Sequence, residues 1–262
     1  MSTEACSFSF DHYASILKTA LDSGYRFGAY SDLETAINPT CVLRHDIDYT
    51  PERAIHFGEI ENRLGIRSYY FVLINSAIYN IRENRHYHVF QELKKMGHEI
   101  GLHFDLSWDP NVAFEDIVTQ CNREKQILRT LSDIEPCSII SFHNPHKFKE
   151  MVLNKPVVGM EHTYEKRYFT DTKYLSDSQG WYEGCVCKVF AEKRYPKIQL
   201  LTHPYIWAAE PRGTFTQDMA AMVKEKSQFI TEYLIQYHPV CYKNKDELRE
   251  RTAMGVQQWP NS

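Results

Sequence analysis

The sequence lacks the features that would direct a first interpretation toward nucleic acids or membranes. Its 30 Lys and Arg residues are outnumbered by 34 Asp and Glu residues, which gives a net charge of −4, and it contains no basic tract. Binding to a phosphate backbone requires clustered positive charge. No apolar run approaches the roughly 20 residues that span a bilayer. These absences argue against nucleic-acid binding and against a transmembrane segment.

The first residues also lack the pattern of a secretory signal. Residues 1–15 show no basic n-region followed by an apolar h-region. The seven cysteines are odd in number and scattered, which is typical of reduced thiols in a cytosolic protein. Cys185 and Cys187 form a single C-x-C pair, and two thiols without a second pair predict a strand or loop rather than a zinc site. We therefore expect a cytoplasmic protein with reduced thiols.

Length and composition indicate one large domain with a sizeable core. The chain has 262 residues, of which 43% are hydrophobic and 24% are charged. Such a chain buries enough apolar surface for a single domain, or at most for two small ones. We expect a single domain over residues 1–262, with a core at about 10–240 and a polar tail at 244–262.

Five apolar runs each stop at a histidine or an aspartate. The first begins at residue 41 and passes into a polar stretch that contains Asp46 and Asp48. The other four runs end at His103, His143, Asp177 and His203. In α/β proteins, chemistry is usually placed at the carboxyl ends of the strands. Five such ends with metal-ligand or acid–base side chains predict one shared site.

Helical and strand patterns alternate along the chain. Apolar spacing predicts helices over residues 10–23, 51–64, 87–95, 112–131 and 215–236. Strands are predicted over residues 25–30, 68–74, 98–103, 137–143, 174–177 and 198–203, and from residue 41 onward. Loops are expected over residues 75–85, 146–173 and 178–187. The alternation favours an α/β fold with parallel strands, and the length fits a TIM-like (β/α) barrel, which uses about 250 residues.

The residue types at the strand ends suit metal-assisted hydrolysis. Carboxylates and imidazoles are the ligand mixture that Zn²⁺ or a similar divalent ion prefers. Such an ion lowers the pKa of bound water to about 7, and a hydrolase also needs a base and an acid. Asp46 and Asp48 are two residues apart, so one could bind the metal while the other acts as the base.

Six segments together carry a family resemblance. They are LRHDIDYTPERA (43–54), SYYFVLI (68–74), GHEIGLHFD (97–105), SFHNP (141–145), YLSDS (174–178) and LTHPYIW (201–207). They resemble the polysaccharide deacetylase superfamily, and most closely a divergent branch with a His-Asp-Ile-Asp motif. The resemblance implies a distorted (β/α) barrel, here with about seven parallel strands. It also implies a metal-dependent enzyme that removes acetyl groups from N-acetylated sugars.

The resemblance also implies roles for single residues. Asp46 matches the first Asp of the family's Phe-Asp-Asp motif, the general base. Asp48 stands one residue later than the family's second Asp and is the candidate metal carboxylate. His103 matches the first His of the family's His-x-x-x-His metal motif. His203 matches the late His that protonates the leaving amine, and Asp177 falls where the family often places an Asp that orients this His.

Two departures from the family pattern affect the metal set. Ser107 stands four residues after His103, so the second His of the metal pair is missing. The family's Arg-x-Pro-Tyr motif appears as HNPH at residues 143–146. We hypothesise that His143 supplies the third ligand, beside Asp48 and His103, to a divalent metal that we expect to be zinc.

Further residues near the strand ends are predicted to contact the substrate. They are Arg44, His45, Asn144, Tyr205 and Trp207. Tyr205 and Trp207 are candidates for a wall on which a sugar stacks, with ordinary packing as the alternative. His45 is interpreted as structural or substrate-facing rather than as a ligand. Arg44 also stands where it could pair with Asp46.

Three functions remain open on this evidence. The first is a cytosolic zinc-dependent deacetylase for a small or carrier-linked amino sugar used in surface polysaccharide biosynthesis. The second is a phosphatase of the haloacid dehalogenase type, because residues 46–50 resemble that family's Asp-x-Asp-x-Thr. Asp46 would then be a covalent nucleophile and Asp48 an acid–base residue with Mg²⁺. The third is an inert sugar-binding protein on the same fold, motivated by the missing metal His.

Overall fold

The computed structural model defines residues 6–106, 114–145, 160–178, 180–181, 184–210 and 214–253. The chain divides into two compact units, Met1–Ala209 and Glu210–Ser262. The organisation of residues 1–262 as one domain stays a prediction.

The first unit is built on a parallel sheet of seven strands. They are β1 (Arg26–Phe27), β2 (Thr40–Ile47), β3 (Tyr69–Val72), β4 (Glu99–Asp105), β5 (Ser141–His143), β6 (Lys173–Ser176) and β7 (Lys197–Thr202). The order is β5-β4-β3-β2-β7-β6, and β1 pairs with the start of β2. Every described pairing is parallel, and the sheet curls into a half-barrel. The predicted distorted (β/α) barrel is thus confirmed.

Helices connect these strands, and local chemistry sets their ends. They are α1 (Phe10–Asp22), α2 (Asp32–Thr35), α3 (Pro51–Arg63), α4 (Asn84–Lys95), α5 (Phe114–Ser132), α6 (Lys166–Phe169) and α7 (Val186–Ala191), followed by a 3-10 turn (Pro204–Ile206). The Ser9 side chain caps α1 by accepting a hydrogen bond from the His12 backbone N–H at 3.0 Å. Gly97, with a φ of 90°, reverses the chain between α4 and β4.

The second unit contains three helices within residues 214–253. They are α8 (Phe215–Tyr237), α9 (Pro239–Lys243) and α10 (Lys245–Ala253). Thr214 and Gln217 form a capping box, in which each side chain bonds to the other residue's backbone N–H at the start of α8. Across the part of the chain that the structure describes, no helix is both long enough and apolar enough to span a membrane.

Two predicted loops contain the beginning of a helix. Helix α4 begins at Asn84, inside the loop predicted for residues 75–85, because the Glu83 side chain accepts a hydrogen bond from a backbone N–H of the first turn. Helix α7 begins at Val186, inside the loop predicted for residues 178–187. Its six residues are too few for apolar periodicity to reveal it.

Two polar regions also carry more structure than predicted. The expected tail over residues 244–262 contains helix α10, which has no buried residue and therefore no apolar face for a pattern to detect. The expected loop over residues 146–173 contains the four-residue helix α6. Parts of these predictions lie outside the described residues, as do the predicted helix start at residue 112, Ser107 and His146.

Strand alternation sorts the side chains of β2 onto two faces. Val42 lies on the inner face and packs in a core cluster with Phe71 of β3 and with Tyr30, Ile139 and Tyr168. Arg44 and Asp46 follow on the same face, because strand side chains alternate with a period of two. His45, between them, lies on the outer face, which the helices cover.

A buried carboxylate on α3, Glu61, gathers polar groups behind this outer face. It accepts hydrogen bonds from Tyr13 at 2.5 Å, Ser68 at 2.5 Å and Tyr70 at 2.9 Å. His45 Nε2 lies 2.8 Å from Glu61 Oε1, off the line of a hydrogen bond. Burial raises the pKa of Glu61, but His45 and the hydrogen bonds outweigh burial and lower it below the ordinary value. The ionised carboxylate therefore joins α1, α3 and the strands.

We expect Glu61→Gln to lower the free energy of unfolding at pH 7 by about 3 kcal/mol, because the amide has one acceptor where several donors converge. Urea unfolding followed by circular dichroism measures this change. Glu59→Gln is the matched control: Glu59 is an exposed residue of the same helix, and its replacement should cost less than about 0.5 kcal/mol. Equally small changes for both variants would show that the buried charge is dispensable.

Candidate active site

The carboxyl ends of five strands bring their polar side chains to one edge of the half-barrel. The residues are Asp46 and Asp48 from β2, His103 from β4, His143 from β5, Asp177 from β6 and His203 from β7. Because parallel strands end at the same edge, this convergence follows from the topology. The structure thus brings together all six residues that the sequence assigns to metal binding and acid–base chemistry.

Three of these side chains form a compact triangle, the Asp48 cluster. His103 Nε2 lies 3.2 Å and His143 Nδ1 lies 3.3 Å from Asp48 Oδ1. The two ring nitrogens are 3.2 Å apart. Asp48 and His103 are buried, and His143 is partly exposed, so the triangle is reached from the side of His143.

The triangle fits a metal ion by two criteria. Oxygen and nitrogen ligands about 2.1 Å from a tetrahedral zinc ion lie about 3.4 Å from one another, close to the separations observed here. Asp48 Oδ1 is buried and, among the described residues, has no aligned hydrogen bond despite two nearby nitrogens. His103 Nδ1 is hydrogen bonded to the Ser141 carbonyl oxygen at 3.3 Å, which places the proton on Nδ1 and leaves Nε2 free to ligate.

The charge on Asp48 is maintained by its neighbours. Burial alone raises the pKa of this carboxyl group, because a charge is poorly solvated in the interior. The contacts with His103 and His143, and the more distant His203, outweigh burial and lower the pKa of Asp48 well below its usual value. Asp48 therefore offers an anionic oxygen to a cation at neutral pH.

Asp46 is held by one of its oxygens, and the other is left without a partner. Oδ2 accepts hydrogen bonds from Arg44 Nη2 at 3.1 Å and from Ser141 Oγ at 3.1 Å. It also lies 3.7 Å from His103 Nε2, beside the Asp48 cluster. Oδ1 is buried and makes no hydrogen bond to any part of the chain that is described. The carboxylate is therefore oriented, and Oδ1 is able to accept a proton.

Arg44 is a buried neighbour of Asp46 rather than a rim residue. Its guanidinium donates to Tyr164 Oη at 3.0 Å and to Gln199 Oε1 at 3.3 Å, and it lies 4.9 Å from the Tyr164 ring centroid. Burial lowers the pKa of Arg44, but the Asp46 carboxylate and the neighbouring tyrosines outweigh burial and raise the pKa above its ordinary value. The guanidinium therefore stays charged. The prediction that Arg44 contacts substrate does not agree with this placement, whereas the alternative pairing with Asp46 does.

His203 is oriented by Asp177 through a short contact. Asp177 Oδ1 lies 2.6 Å from His203 Nδ1, and Oδ2 accepts from the His203 backbone N–H at 2.9 Å. Trp207 Nε1 donates to the same Oδ2 at 2.7 Å. Burial lowers the pKa of His203, but Asp177 outweighs burial and raises it to about 9. The ring is therefore protonated at neutral pH, with Nε2 4.0 Å from Asp48 Oδ2.

The remaining predicted substrate residues are placed differently from one another. Trp207 is fully buried, so it supports Asp177 and offers no stacking wall. His45 lies on the outer face of β2 against Glu61, away from the cluster. Tyr205 is mostly buried and packs beside Tyr49, with ring centroids 4.8 Å apart. Asn144 is exposed at the end of β5 with a φ of 50°, a backbone conformation that Asn tolerates.

Sequence reasoning missed Ser141, which orients Asp46, and it missed the hydrogen bond from the Trp207 indole N–H to Asp177. Ser141 stands two residues before His143 on β5, so strand alternation alone places both on one face. That signal was available in the sequence. The Trp207 contact was not, because an indole next to a strand end is equally suited to packing.

Comparisons with known proteins supplement this geometry. No family model and no curated protein matches the chain. Among solved structures, it is similar to the chitin deacetylase of Colletotrichum lindemuthianum, with 15% identity over 78% of this chain and 87% of that chain and a TM-score of 0.43. A family 4 carbohydrate esterase from Bacillus anthracis shows 13% identity over 90% and 85%, with a TM-score of 0.40.

A third similar structure is a CE4 family pseudoenzyme from Bacillus anthracis, with 10% identity over 73% of this chain and 62% of that chain and a TM-score of 0.41. All three identities are at or below 15% and all three TM-scores lie below 0.5, so a function must be argued from the residues of the site.

Proposed function

We propose that the protein is a metal-dependent carbohydrate N-deacetylase that hydrolyses the acetamide of an N-acetylated amino sugar. The observation that carries the proposal is the triangle of Asp48, His103 and His143 beside an oriented carboxylate, Asp46, and an oriented imidazolium, His203. Metal-assisted amide hydrolysis uses these three functions: a Lewis acid, a base and an acid.

Asp48, His103 and His143 would hold the divalent ion, and zinc suits a set of one carboxylate and two imidazoles. When bound, such an ion polarises a carbonyl group and lowers the pKa of a coordinated water molecule to about 7.

Asp46 takes the proton of the attacking water on Oδ1. Arg44 and Ser141 both donate to Oδ2, so the free Oδ1 keeps a defined direction. Water adds to the acetyl carbon, and the resulting tetrahedral species carries the former amide nitrogen as its leaving group.

His203 donates its Nε2 proton to that nitrogen as the carbon–nitrogen bond breaks, and the products are acetate and the free amine. Asp177 holds the opposite ring nitrogen, so the imidazolium is both oriented and stabilised. The raised pKa of His203, about 9, keeps the acid protonated at neutral pH.

The substrate class that we propose is a small or carrier-linked amino sugar, used in the cytoplasm as a precursor for surface polysaccharide. This part rests on the motif resemblance. We propose Asn144 and Tyr205 as substrate contacts, since Asn144 is exposed beside His143 and Tyr205 lies 5.6 Å from His203 between ring centroids. The phosphatase alternative gives no role to the imidazoles around Asp48.

Release of acetate from a panel of N-acetylated sugars tests the proposal. Protein reconstituted with zinc should release acetate and an equal amount of free amine from at least one free, nucleotide-linked or lipid-linked N-acetylated hexosamine. Treatment with a chelator should abolish release, and added zinc should restore it. Binding of a sugar without any turnover would favour the inert sugar-binding alternative. If the protein neither bound nor hydrolysed any sugar of the panel, the proposed substrate class would be contradicted.

We expect Asp177→Asn to move the alkaline limb of the pH–rate profile to lower pH. Asp177 is the main cause of the raised pKa of His203, so without its charge this pKa falls from about 9 toward the ordinary value. In the variant, His203 therefore loses its proton at a lower pH than in the wild type. The kcat of the variant relative to the wild type should then fall more at pH 8 than at pH 6. Equal losses at both pH values would show that Asp177 acts on His203 only sterically.

A further inference from the structure

A second cluster of metal-ligand side chains lies in the first unit and shares no residue with the Asp48 cluster. Its members are Cys6, His12, Cys185 and Cys187, and one ligand atom of each lies within 4.8 Å of all the others. Cys6 precedes α1 and His12 is in its first turn, whereas the other two residues stand at the start of α7. Three thiols and one imidazole are a ligand set of closed, structural zinc sites.

The distances suit a tetrahedral ion. Thiolates about 2.3 Å from zinc lie about 3.8 Å apart, and Cys6 Sγ is 3.7 Å from Cys187 Sγ. His12 Nε2 is 3.0 Å from Cys185 Sγ, whereas a zinc site separates such atoms by about 3.6 Å. For this pair the adjustment is a movement of about half an ångström by a partly exposed imidazole, and the other ligand atoms lie within 4.8 Å of one another.

The cysteines of the cluster are free thiols, not a disulfide. Bonded sulfur atoms lie about 2.05 Å apart, much closer than Cys6 and Cys187, and all seven cysteines of the chain are free. Free thiols are available to a metal ion, which displaces the thiol proton because thiolate is the species that ligates.

The ligands are carried by ordered elements. The hydrogen bond from the His12 backbone N–H to Ser9 Oγ fixes the first turn of α1, and α1 packs against α7. Gly184, with a φ of 79°, turns the chain directly before Cys185. His12 and Cys187 stand on these two packed helices and Cys185 caps α7, so little chain entropy is lost there when an ion binds.

The segment that carries Cys6 and His12 also contacts Trp207, which supports Asp177 in the candidate active site. Phe8, between Cys6 and His12, packs on Trp181 with ring centroids 6.0 Å apart and on Trp207 at 5.0 Å. The Phe8 carbonyl oxygen accepts a hydrogen bond from the Ala208 backbone N–H at 3.0 Å. An ion that ties residues 6–12 to α7 would therefore hold this segment against Trp207, which donates to Asp177.

We propose that Cys6, His12, Cys185 and Cys187 bind one zinc ion in a structural site that fastens the amino-terminal segment to α7. The site has a full set of four protein ligands and so leaves no open position for a substrate. Its role is to stabilise the first unit, including the packing of Phe8 on Trp207 near Asp177 and His203. The Asp48 cluster, by contrast, has three protein ligands and leaves a position open.

Metal analysis in an Asp48→Asn background isolates this site from the other. Protein prepared under reducing conditions and dialysed against zinc should retain about one equivalent of zinc in Asp48→Asn. Adding Cys187→Ser should remove that equivalent. Cys241→Ser is the matched control, because Cys241 is a free cysteine in the second unit and its replacement should leave the zinc in place.

Cobalt substitution gives a spectroscopic test in the wild-type chain, so this result does not depend on whether a variant folds. Cys–Co²⁺ bonds give an intense near-ultraviolet charge-transfer band, and the Asp48 cluster contains no sulfur. The band should appear in the wild type, Asp48→Asn and Cys241→Ser, and it should be absent from Cys187→Ser and Cys185→Ser. Zinc should also protect Cys6, Cys185 and Cys187 from alkylation until a chelator is added.

Absence of the cobalt band from reduced wild-type protein would overturn the proposal. The proposal would also be overturned if Asp48→Asn protein retained no zinc after dialysis and if Cys6, Cys185 and Cys187 were alkylated as fast as Cys241. A Cys6–Cys187 disulfide that persists after aerobic purification, with no bound metal, would identify the cluster as a redox pair instead. None of these results depends on acetate release, so the deacetylase proposal stands or fails separately.

Discussion

Asp48→Asn is expected to lower kcat/KM for acetate release by at least about 10³-fold and to remove the metal ion of the Asp48 cluster. Asparagine has nearly the same shape as aspartate, so the packing around His103 and His143 is retained. It supplies a neutral oxygen in place of the anionic one, and two neutral imidazoles alone hold a divalent ion weakly. Loss of several kcal/mol of Lewis-acid stabilisation corresponds to this reduction in rate.

Metal content and acetate release are measured on the same preparation. Asp22→Asn is the control, because Asp22 is an exposed carboxylate that pairs with Lys18 at the end of α1. It should leave both quantities unchanged. Wild-type activity in Asp48→Asn would contradict the assignment of the metal ligands. This conclusion does not depend on any zinc bound by Cys6, His12, Cys185 and Cys187.

Asp46→Asn is expected to lower kcat by about 10²- to 10⁴-fold while the metal content stays at the wild-type level. The amide keeps one acceptor oxygen for Arg44 and Ser141 but provides no base for the attacking water. This separates the two aspartates: Asp48→Asn should lose metal and rate together, and Asp46→Asn should lose rate alone. KM should change little, because Asp46 acts on the water molecule.

The same substitution leaves the buried guanidinium of Arg44 without its anion, so some stability is lost as well. Rates are therefore compared well below the thermal transition of the variant, which circular dichroism monitors. If kcat of Asp46→Asn equalled the wild-type value at such a temperature, Asp46 would be a structural partner of Arg44 and another base would have to be sought.

Much of the candidate site could be predicted because its residues come at the ends of strands. An apolar run followed by Asp48, His103, His143 or His203 is a local pattern, and parallel strands necessarily present such ends at one edge. The helices α1, α3 and α8 were likewise predicted to within about two residues, since their amphipathic spacing is long enough to recognise. Short or polar helices such as α7 and α10 lack that spacing.

Face and burial were the properties that local pattern could not assign. Arg44 and His45 are adjacent and were both predicted to contact substrate, yet Arg44 turns inward to Asp46 and His45 turns outward to Glu61. The direction of a polar side chain at a strand end depends on which neighbours offer it a partner. Trp207 is fully buried for the same reason, because Phe8, Tyr13 and Phe57 surround it.

The sequence alone determined the alternating α/β architecture and the set of strand-end carboxylates and imidazoles, since both follow from short-range periodicity. Only the tertiary structure decided which groups meet across long stretches of chain. Cys6 and Cys187 are 181 residues apart, and the sequence shows them only as two of seven scattered cysteines. They lie together because α1 packs against α7, and such packing depends on the sum of many weak apolar contacts rather than on any local signal.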